Sequence, residues 1–223
     1  MEEKAVLVVC ESVAPEIEKL APEHLDVRVL EFGLHNHPDK LNERLRGCLA
    51  EIEEDGSYGV ALLGYGLCSE GVVGLKPQRV KLVIPRADDC IAIFLGSRDR
   101  YLEESQREPG TFYLTKGWIE HGETPLAVYN QEVPWVKKYP PEKAHWLARE
   151  VMRNYKRVAL IDTGAYDLSA YEEYARKTAE TFNMKYEVIP GSLNLLEKLL
   201  AGHWDGNFLV IEPGQEVKRE MFY

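Results

Sequence analysis

The chain has 223 residues, with 37 acidic and 27 basic side chains, a formal net charge of −10 and a hydrophobic fraction of 45%. These values are typical of a globular protein with one large domain or two small lobes. The acidic charge and the lack of a Lys/Arg run argue against binding to duplex nucleic acid, because the phosphate backbone would repel such a surface.

No part of the sequence predicts a membrane segment or a cleaved leader. No apolar run approaches the roughly 20 residues that span a bilayer. Glu2, Glu3 and Lys4 precede an apolar run of only about six residues, which is too short for a signal peptide. We therefore expect a cytoplasmic protein, whose four cysteines are free thiols, metal ligands or catalysts rather than disulfides.

In the first half of the chain, apolar runs alternate with amphipathic segments. Strands are predicted at 4–10, 26–31, 58–63 and 81–84. Helices are predicted up to Leu20, over 38–54, and from Asp88 or Asp89 to about Gln106. The helix over 38–54 places Cys48 on its apolar face, which predicts a core position for this cysteine.

The segment 109–141 is rich in glycine, proline and aromatic residues and follows neither the helical nor the strand period. We interpret it as an ordered excursion that covers the sheet or closes the pocket. Beyond it, helices are predicted at 142–155, 168–182 and 193–201, and strands at 157–162, 185–189 and 207–211.

The predicted fold is therefore α/β, with mostly parallel sheets in two Rossmann-like halves and helices on both faces. The halves are 1–108, which would carry the site, and 142–223; the aromatic-rich excursion 109–141 joins them.

Three cysteines lie near the carboxyl ends of three predicted strands. Cys10 ends the first strand, Cys68 lies in the glycine-rich stretch 64–74 after the third, and Cys90 follows the fourth. In open α/β sheets the ligand crevice lies outside the carboxyl ends of the strands, so we expect the three thiols at one rim. Gly66 and its neighbouring glycines would let the backbone approach a ligand closely.

Three converging thiolates would leave the fourth position of a metal or a cluster iron open, as a catalytic site requires. Soft thiolates favour zinc or an iron–sulfur cluster over magnesium or calcium. We expect a [4Fe-4S] cluster held by the three cysteines, with zinc as second choice. Two interpretations remain open beside it: a metal-free thiol nucleophile or redox pair, and buried cysteines with a structural role. The cysteine spacings match no local zinc or ferredoxin motif.

Three acidic residues are candidates for moving protons. Asp89, Glu11 and Glu70 each stand within two residues of one of the three cysteines. The alternative for Asp89 is a helix cap, and the alternative for the two glutamates is a solvated loop charge.

Four further residues are candidates for binding the substrate. Arg86 could hold an anionic group with its planar guanidinium, or pair with Asp88. Trp118 and Tyr113 could roof a flat ligand or pack in the core, and Gly66 would allow close backbone approach. No dinucleotide fingerprint and no P-loop is present, so a nucleotide site of either kind is not expected.

Several blocks of the sequence resemble DUF1638, a family of unknown function. These blocks are 63–68, 83–90, 95–101, 109–113 and 118–120, and the resemblance covers most of the chain. It implies that Cys10, Cys68 and Cys90 belong to the family pattern and that relatives can carry histidine at the position of Asp88. It also implies an anaerobic setting, beside genes for corrinoid-dependent methyl transfer.

Three functional hypotheses follow. The first is a metalloprotein with an open coordination position, of lyase, desulfidase or methyl-transfer type, that acts on a small anionic or sulfur- or methyl-containing metabolite. The second is a non-catalytic accessory protein that binds a small molecule or a corrinoid for a methyltransferase partner. The third is a metal-free enzyme with Cys68 or Cys90 as nucleophile. No nucleic acid or membrane partner is expected.

Overall fold

A computed structural model describes residues 4–223, so Glu2 and Glu3 lie outside the described part. The strands are β1 (Ala5–Cys10), β2 (Asp26–Leu30), β3 (Val60–Gly64), β4 (Lys81–Pro85), β5 (Thr111–Leu114), β6 (Arg157–Asp162), β7 (Lys185–Pro190) and β8 (Phe208–Ile211). The α-helices are α1 (Ala14–Leu20), α2 (Pro38–Asp55), α3 (Cys90–Leu95), α4 (Arg98–Arg107), α5 (Lys116–His121), α6 (Pro125–Tyr129), α7 (Pro141–Met152), α8 (Ser169–Phe182) and α9 (Asn194–Leu200). Short 3₁₀ helices span Leu34–Asn36, Pro134–Lys138 and Arg219–Phe222.

The strands form two sheets. The first has the order β2-β1-β3-β4-β8 and the second the order β5-β6-β7. Every pair is parallel except β4 and β8, which run antiparallel. The predicted α/β class with mostly parallel sheets is confirmed.

The order of the first sheet creates a crevice between β1 and β3. The chain leaves β1 for β2 on one side and then crosses to β3 on the other side of β1. Because such crossovers are right-handed, the intervening helices α1 and α2 lie on opposite faces of the sheet. Strands whose connections diverge in this way leave an open crevice outside their carboxyl ends. Cys10 ends β1, and the loop after β3 carries Cys68.

One continuous apolar core joins the two sheets. It contains the buried residues of β1, β3, β4 and α2, together with Ala159, Ile161 and Ile189 of the second sheet. Cys48 is buried on the core-facing side of α2, as its helical position predicts. Among the described residues, no helix combines the length and the apolar character needed to cross a membrane.

The prediction of one helix from about residue 88 to 106 is wrong, since the structure has two helices there. Gly96 adopts a left-handed φ of 85° and ends α3. Ser97 then caps α4, because its Oγ accepts a hydrogen bond from the Arg100 N–H at 3.2 Å. The break turns the chain so that Tyr101 lines the pocket described below.

Two further features differ from the sequence-based expectation. The excursion 109–141 contributes β5 to the second sheet and also carries α5 and α6. The strand β8 returns to the first sheet, where Val210 pairs with Val83 in the antiparallel sense. The sheets therefore divide the chain differently from the segments 1–108, 109–141 and 142–223, and the division into domains stays a prediction.

A buried arginine ties the second sheet to α4. Arg157 is 1% exposed. Its Nη1 lies 2.5 Å from Glu187 Oε2, and its Nη2 lies 2.5 Å from Glu104 Oε1. Its Nε donates to Thr111 Oγ1 at 3.0 Å. A buried guanidinium is tolerated only when its donors are paired, so this network fixes β5, β6, β7 and α4 relative to one another.

A buried carboxyl group links α1 to the end of β6. Glu16 is fully buried; its Oε1 accepts a hydrogen bond from Thr163 Oγ1 at 3.1 Å, and its Oε2 has no partner among the described residues. Burial raises the pKa of Glu16 to about 7, against the lowering effect of hydrogen bonds with Thr163 and Tyr166 and of the nearby Lys116 charge. The group is therefore protonated in the folded protein at mildly acidic pH.

We expect Glu16→Gln to stabilise the protein more at a pH of about 8 than at about 5. The folded chain keeps a proton on Glu16 up to a pKa of about 7, whereas the unfolded chain loses it near the usual value of 4.5. The wild-type free energy of unfolding therefore falls as pH rises through this window, and glutamine removes that fall. Urea unfolding at the two pH values measures the effect. The exposed Glu18→Gln is the control, and an equal gain at both pH values would contradict the buried, protonated state.

Candidate functional site

A pocket of about 350 Å³ opens at the carboxyl ends of β1, β3 and β4. Cys10, Cys68 and Cys90 all line it, so three segments far apart in sequence bring their thiols to one place. The aromatic residues of the wall are Tyr65, Tyr101, Phe112, Tyr113, Trp118 and Tyr155. The predicted residues Asp89, Tyr113 and Trp118 therefore lie beside the thiols.

The loop that carries Cys68 is fixed by backbone pairing with the loop that carries Cys90. Leu67 N donates to the Ala87 carbonyl at 2.8 Å, and Cys68 N donates to the Asp88 carbonyl at 3.0 Å. A Cβ at Gly66 would lie 2.5 Å from the Ala87 carbonyl oxygen, so only glycine allows the two loops to approach this closely. Gly66 thus acts by packing against the second loop.

A strained turn then presents Cys68 to the pocket. Cys68, Ser69 and Glu70 have φ angles of 45°, 56° and 72°, which form a left-handed turn closed by a hydrogen bond from Gly71 N to the Cys68 carbonyl at 3.1 Å. Non-glycine residues seldom adopt this region, at a cost on the order of 1–3 kcal/mol each. Strain of this kind persists where the surrounding structure holds it, and it is concentrated at active sites and ligand clamps.

Asp89 positions Cys90. Its Oδ1 accepts hydrogen bonds from Ile91 N at 2.9 Å and Ala92 N at 3.4 Å, which caps α3 and makes Cys90 the first residue of that helix. Burial raises the pKa of Asp89 and is the largest effect. The two hydrogen bonds from backbone N–H groups lower the pKa, and the charge of the neighbouring Asp88 raises it. The Asp88 carboxylate in turn lies 3.0 Å from Arg98 Nε, in an ion pair that lacks hydrogen-bond alignment.

Two of the three thiols, those of Cys68 and Cys90, are poorly ionised at neutral pH. Burial raises the pKa of Cys68 to about 12, and the charges at Asp89 and Cys10 raise it as well. Burial also raises the pKa of Cys90 well above its usual value, and the Trp118 indole N–H partly offsets this. The pocket includes no Lys or Arg side chain among the described residues.

Polar donors surround the sulfur atoms. Ser12 Oγ donates to Cys10 Sγ at 3.2 Å. The Tyr65 hydroxyl is buried, and its pKa is raised by burial and then by the neighbouring Cys10 and Cys68 thiols. Trp118 Nε1 lowers the pKa of the Cys90 thiol through its N–H dipole, without a formed hydrogen bond.

Two of the predicted residues are engaged on the outer side of the loops. Glu11 Oε2 accepts a hydrogen bond from Phe32 N at 3.0 Å, and its Oε1 lies 3.4 Å from His121 Nδ1. Glu70 pairs with Arg219 at 3.1 Å. Neither glutamate is among the residues that line the thiol pocket.

Arg86 also lies away from the thiols. Its backbone N–H donates to the Asn207 carbonyl at 2.7 Å, and its side chain lines a separate cleft beside β8 and the carboxyl-terminal segment. The anion-binding role predicted for Arg86 at the thiol site therefore has no geometric support.

Several pocket residues were missed in the sequence. Tyr65 stands between Gly64, which ends β3, and Gly66, a position that indicates part of the site. Tyr101 reaches the pocket because the helix breaks at Gly96, and the pair Gly96-Ser97, a terminating glycine followed by a capping serine, is the sequence signal of that break. His35 lines the pocket beside Trp118, with ring centroids 5.6 Å apart and the rings tilted by 37°, and burial lowers its pKa.

Within residues 4–223, no three or more His, Cys, Asp or Glu side chains form a group that could hold a metal ion. The three cysteines nevertheless line one pocket. Thiolates are ligands for zinc and for iron–sulfur clusters.

The family described as "Protein of unknown function (DUF1638)" matches residues 29–200 of the 223. The chain belongs to the DUF1638 family. The matched range includes Cys68 and Cys90 and begins after Cys10. No curated protein and no solved structure matches the chain.

We expect Gly66→Ala to destabilise the protein by about 2–4 kcal/mol, because the new methyl group would meet the backbone of Ala87. Gly47→Ala is the matched control. Nothing lies within 4 Å of a Cβ at Gly47 in α2, so this change should raise stability by about 0.5–1 kcal/mol. Urea unfolding of both variants measures the difference; equal effects would mean that the two loops do not need their close approach.

Proposed function

We propose that this member of the DUF1638 family is an iron–sulfur protein in which Cys10, Cys68 and Cys90 hold a [4Fe-4S] cluster with one iron open to substrate. The observation that carries the proposal is the convergence of three thiols from three segments on one pocket. Zinc remains the second choice. The bound group would supply a Lewis acid, or an acceptor for a sulfur atom of the substrate.

The polar surroundings of the sulfurs support this proposal. Hydrogen-bond donors near coordinating sulfurs stabilise the thiolate form and tune the potential of a cluster. Ser12 provides such a donor to Cys10, with its Oγ 3.2 Å from the sulfur. A bound cluster would also offset the rise in thiol pKa that burial causes, because the positive charge of its irons favours the thiolate form.

The pocket wall indicates what kind of group would react there. The hydroxyls of Tyr65 and Tyr113 and the indole N–H of Trp118 have no hydrogen-bond partner among the described residues. These donors, together with a lining that lacks Lys and Arg, favour an uncharged group with an acceptor atom, such as a carbonyl, thione or thioether. Asp89 is the pocket carboxyl best placed to hold and move a proton, because burial raises its pKa.

The proposed activity is therefore lyase-type chemistry on a small sulfur- or methyl-containing metabolite. The three cysteines would hold the cluster, and Tyr65, Tyr113 and Trp118 would orient the reacting group. Asp89 would exchange a proton with it.

We expect anaerobic reconstitution with ferrous iron and sulfide to give a protein with equal amounts of iron and acid-labile sulfide and a visible charge-transfer absorption. Cys10→Ser, Cys68→Ser and Cys90→Ser should each reduce cluster retention strongly, because each removes one of only three thiolate ligands. Cys48→Ala is the control and should keep the cluster, since Cys48 lies in the core side of α2. If all four variants retain iron alike, the proposal is wrong.

Corrinoid binding that survives the triple Cys→Ser change would support the accessory role instead.

We expect the Cys68 and Cys90 thiols of the metal-free protein to react slowly with iodoacetamide at neutral pH. With a pKa of about 12 for Cys68 and a strongly raised pKa for Cys90, the thiolate fraction is small. The alkylation rate should therefore rise about tenfold per pH unit over the neutral to mildly alkaline range. Mass spectrometry of each cysteine measures the rates, with glutathione as the reference thiol. Rapid labelling of Cys68 or Cys90 at neutral pH would favour the metal-free nucleophile.

A further inference from the structure

A second pocket, of about 680 Å³, adjoins the thiol pocket. The two pockets share four wall residues: Leu34, His35, Phe112 and Trp118. Trp118 and His35 thus form a partition, with one side toward the thiols and the other toward the second pocket. A molecule in the second pocket would contact the same indole that lies beside Cys90.

The walls of the second pocket are rich in flat rings. The Phe32 ring stands perpendicular to Trp118 at a centroid distance of 5.2 Å, and the His35 ring is tilted by 37° on the same indole. Trp135 faces the pocket from the excursion 109–141 and is 41% exposed, with its Nε1 held by Glu123 Oε2 at 2.7 Å. Rings arranged in this way offer stacking and edge contacts to a flat ligand.

One side of the second pocket carries the positive charge of Lys40. Lys40 lines the pocket and has no ion-pair partner among residues 4–223. It stands in the first turn of α2, an 18-residue helix that has a proline at its start and no side-chain cap. The free N–H groups of such a helix start and the lysine both favour an anion. Glu123 also lines the pocket, and its carboxylate is held beside Trp135 by the hydrogen bond from Nε1.

We propose that the second pocket binds a flat aromatic or heteroaromatic anion, with its ring against the aromatic wall that includes Trp118 and Trp135 and its acidic group toward Lys40. The thiols lie on the other side of the partition, so the binding of this anion does not depend on the proposed cluster function.

The probe pair is 1-anilinonaphthalene-8-sulfonate and the uncharged N-phenyl-1-naphthylamine, which share a ring system and differ in the sulfonate. We expect the wild-type, metal-free protein to bind the sulfonate at one saturable site, with quenching of tryptophan fluorescence. The uncharged probe should bind more weakly. Equal affinity for the two probes, or several weak sites for the sulfonate, would overturn the proposal.

Charge variants locate the sulfonate. Lys40→Ala should weaken sulfonate binding about threefold and leave the uncharged probe unaffected, as expected for one partly exposed ion pair.

Val151 lines the pocket and is 60% exposed, so Val151→Glu and Val151→Lys can be made without disturbing the core. The glutamate should weaken sulfonate binding and the lysine should strengthen it. Lys177→Ala, on the exposed side of α8, is the control. Unchanged affinity in Lys40→Ala and in both Val151 variants would place the probe elsewhere and refute the assignment.

The triple Cys→Ser variant separates this proposal from the cluster. It should bind the sulfonate as the wild type does while it fails to retain iron. Loss of iron with retained sulfonate binding supports the second pocket whatever the thiols bind. Loss of sulfonate binding in this variant, with an unchanged circular dichroism spectrum, would show that the second pocket does not bind independently of the thiols and would contradict the proposal.

Discussion

The close pairing of two loops is the constraint on which the site depends. The loop after β3 runs beside the loop after β4, joined by the hydrogen bonds of Leu67 and Cys68 to the carbonyls of Ala87 and Asp88. A backbone approach this close is possible only with glycine at position 66. The pairing holds the left-handed turn at Cys68 against its strain. Without it, the Cys68 and Cys90 thiols would have no fixed relation to each other.

The topology of the first sheet provides the space into which these loops project. The crossover from β2 to β3 reverses the direction in which strands are added, and the crevice at that point receives Cys10 and Cys68. The excursion 109–141 contributes Tyr113 and Trp118 to the wall of the crevice. Because Trp118 also faces the second pocket, one side chain belongs to both sites.

The electrostatics divide the two pockets. Burial and the Asp89 charge disfavour the thiolate form at Cys68 and Cys90. The thiol pocket has no Lys or Arg among its described lining residues, whereas the second pocket is lined by Lys40, which has no ion-pair partner within the described part of the chain.

Much of the fold and part of the site could be predicted from local patterns. Continuous apolar runs predicted β1 and β6 almost to the residue, because a buried strand needs apolar side chains on both faces. The approach of Cys10, Cys68 and Cys90 to one rim followed from the rule for parallel strand ends. The same reasoning could not place Glu11, Glu70 or Arg86, since a neighbour in sequence can point to either side of a loop.

The sequence by itself determined the α/β class, the family and the three cysteines, because each depends on residue type and short-range period. Only the tertiary structure decided that β8 runs antiparallel beside β4, that Tyr65 and Tyr101 join the wall, and that Arg86 faces a separate cleft. These features arise from backbone pairing and packing between segments far apart in the chain. Local periodicity carries no information about such contacts, since their free energy appears only when the segments meet.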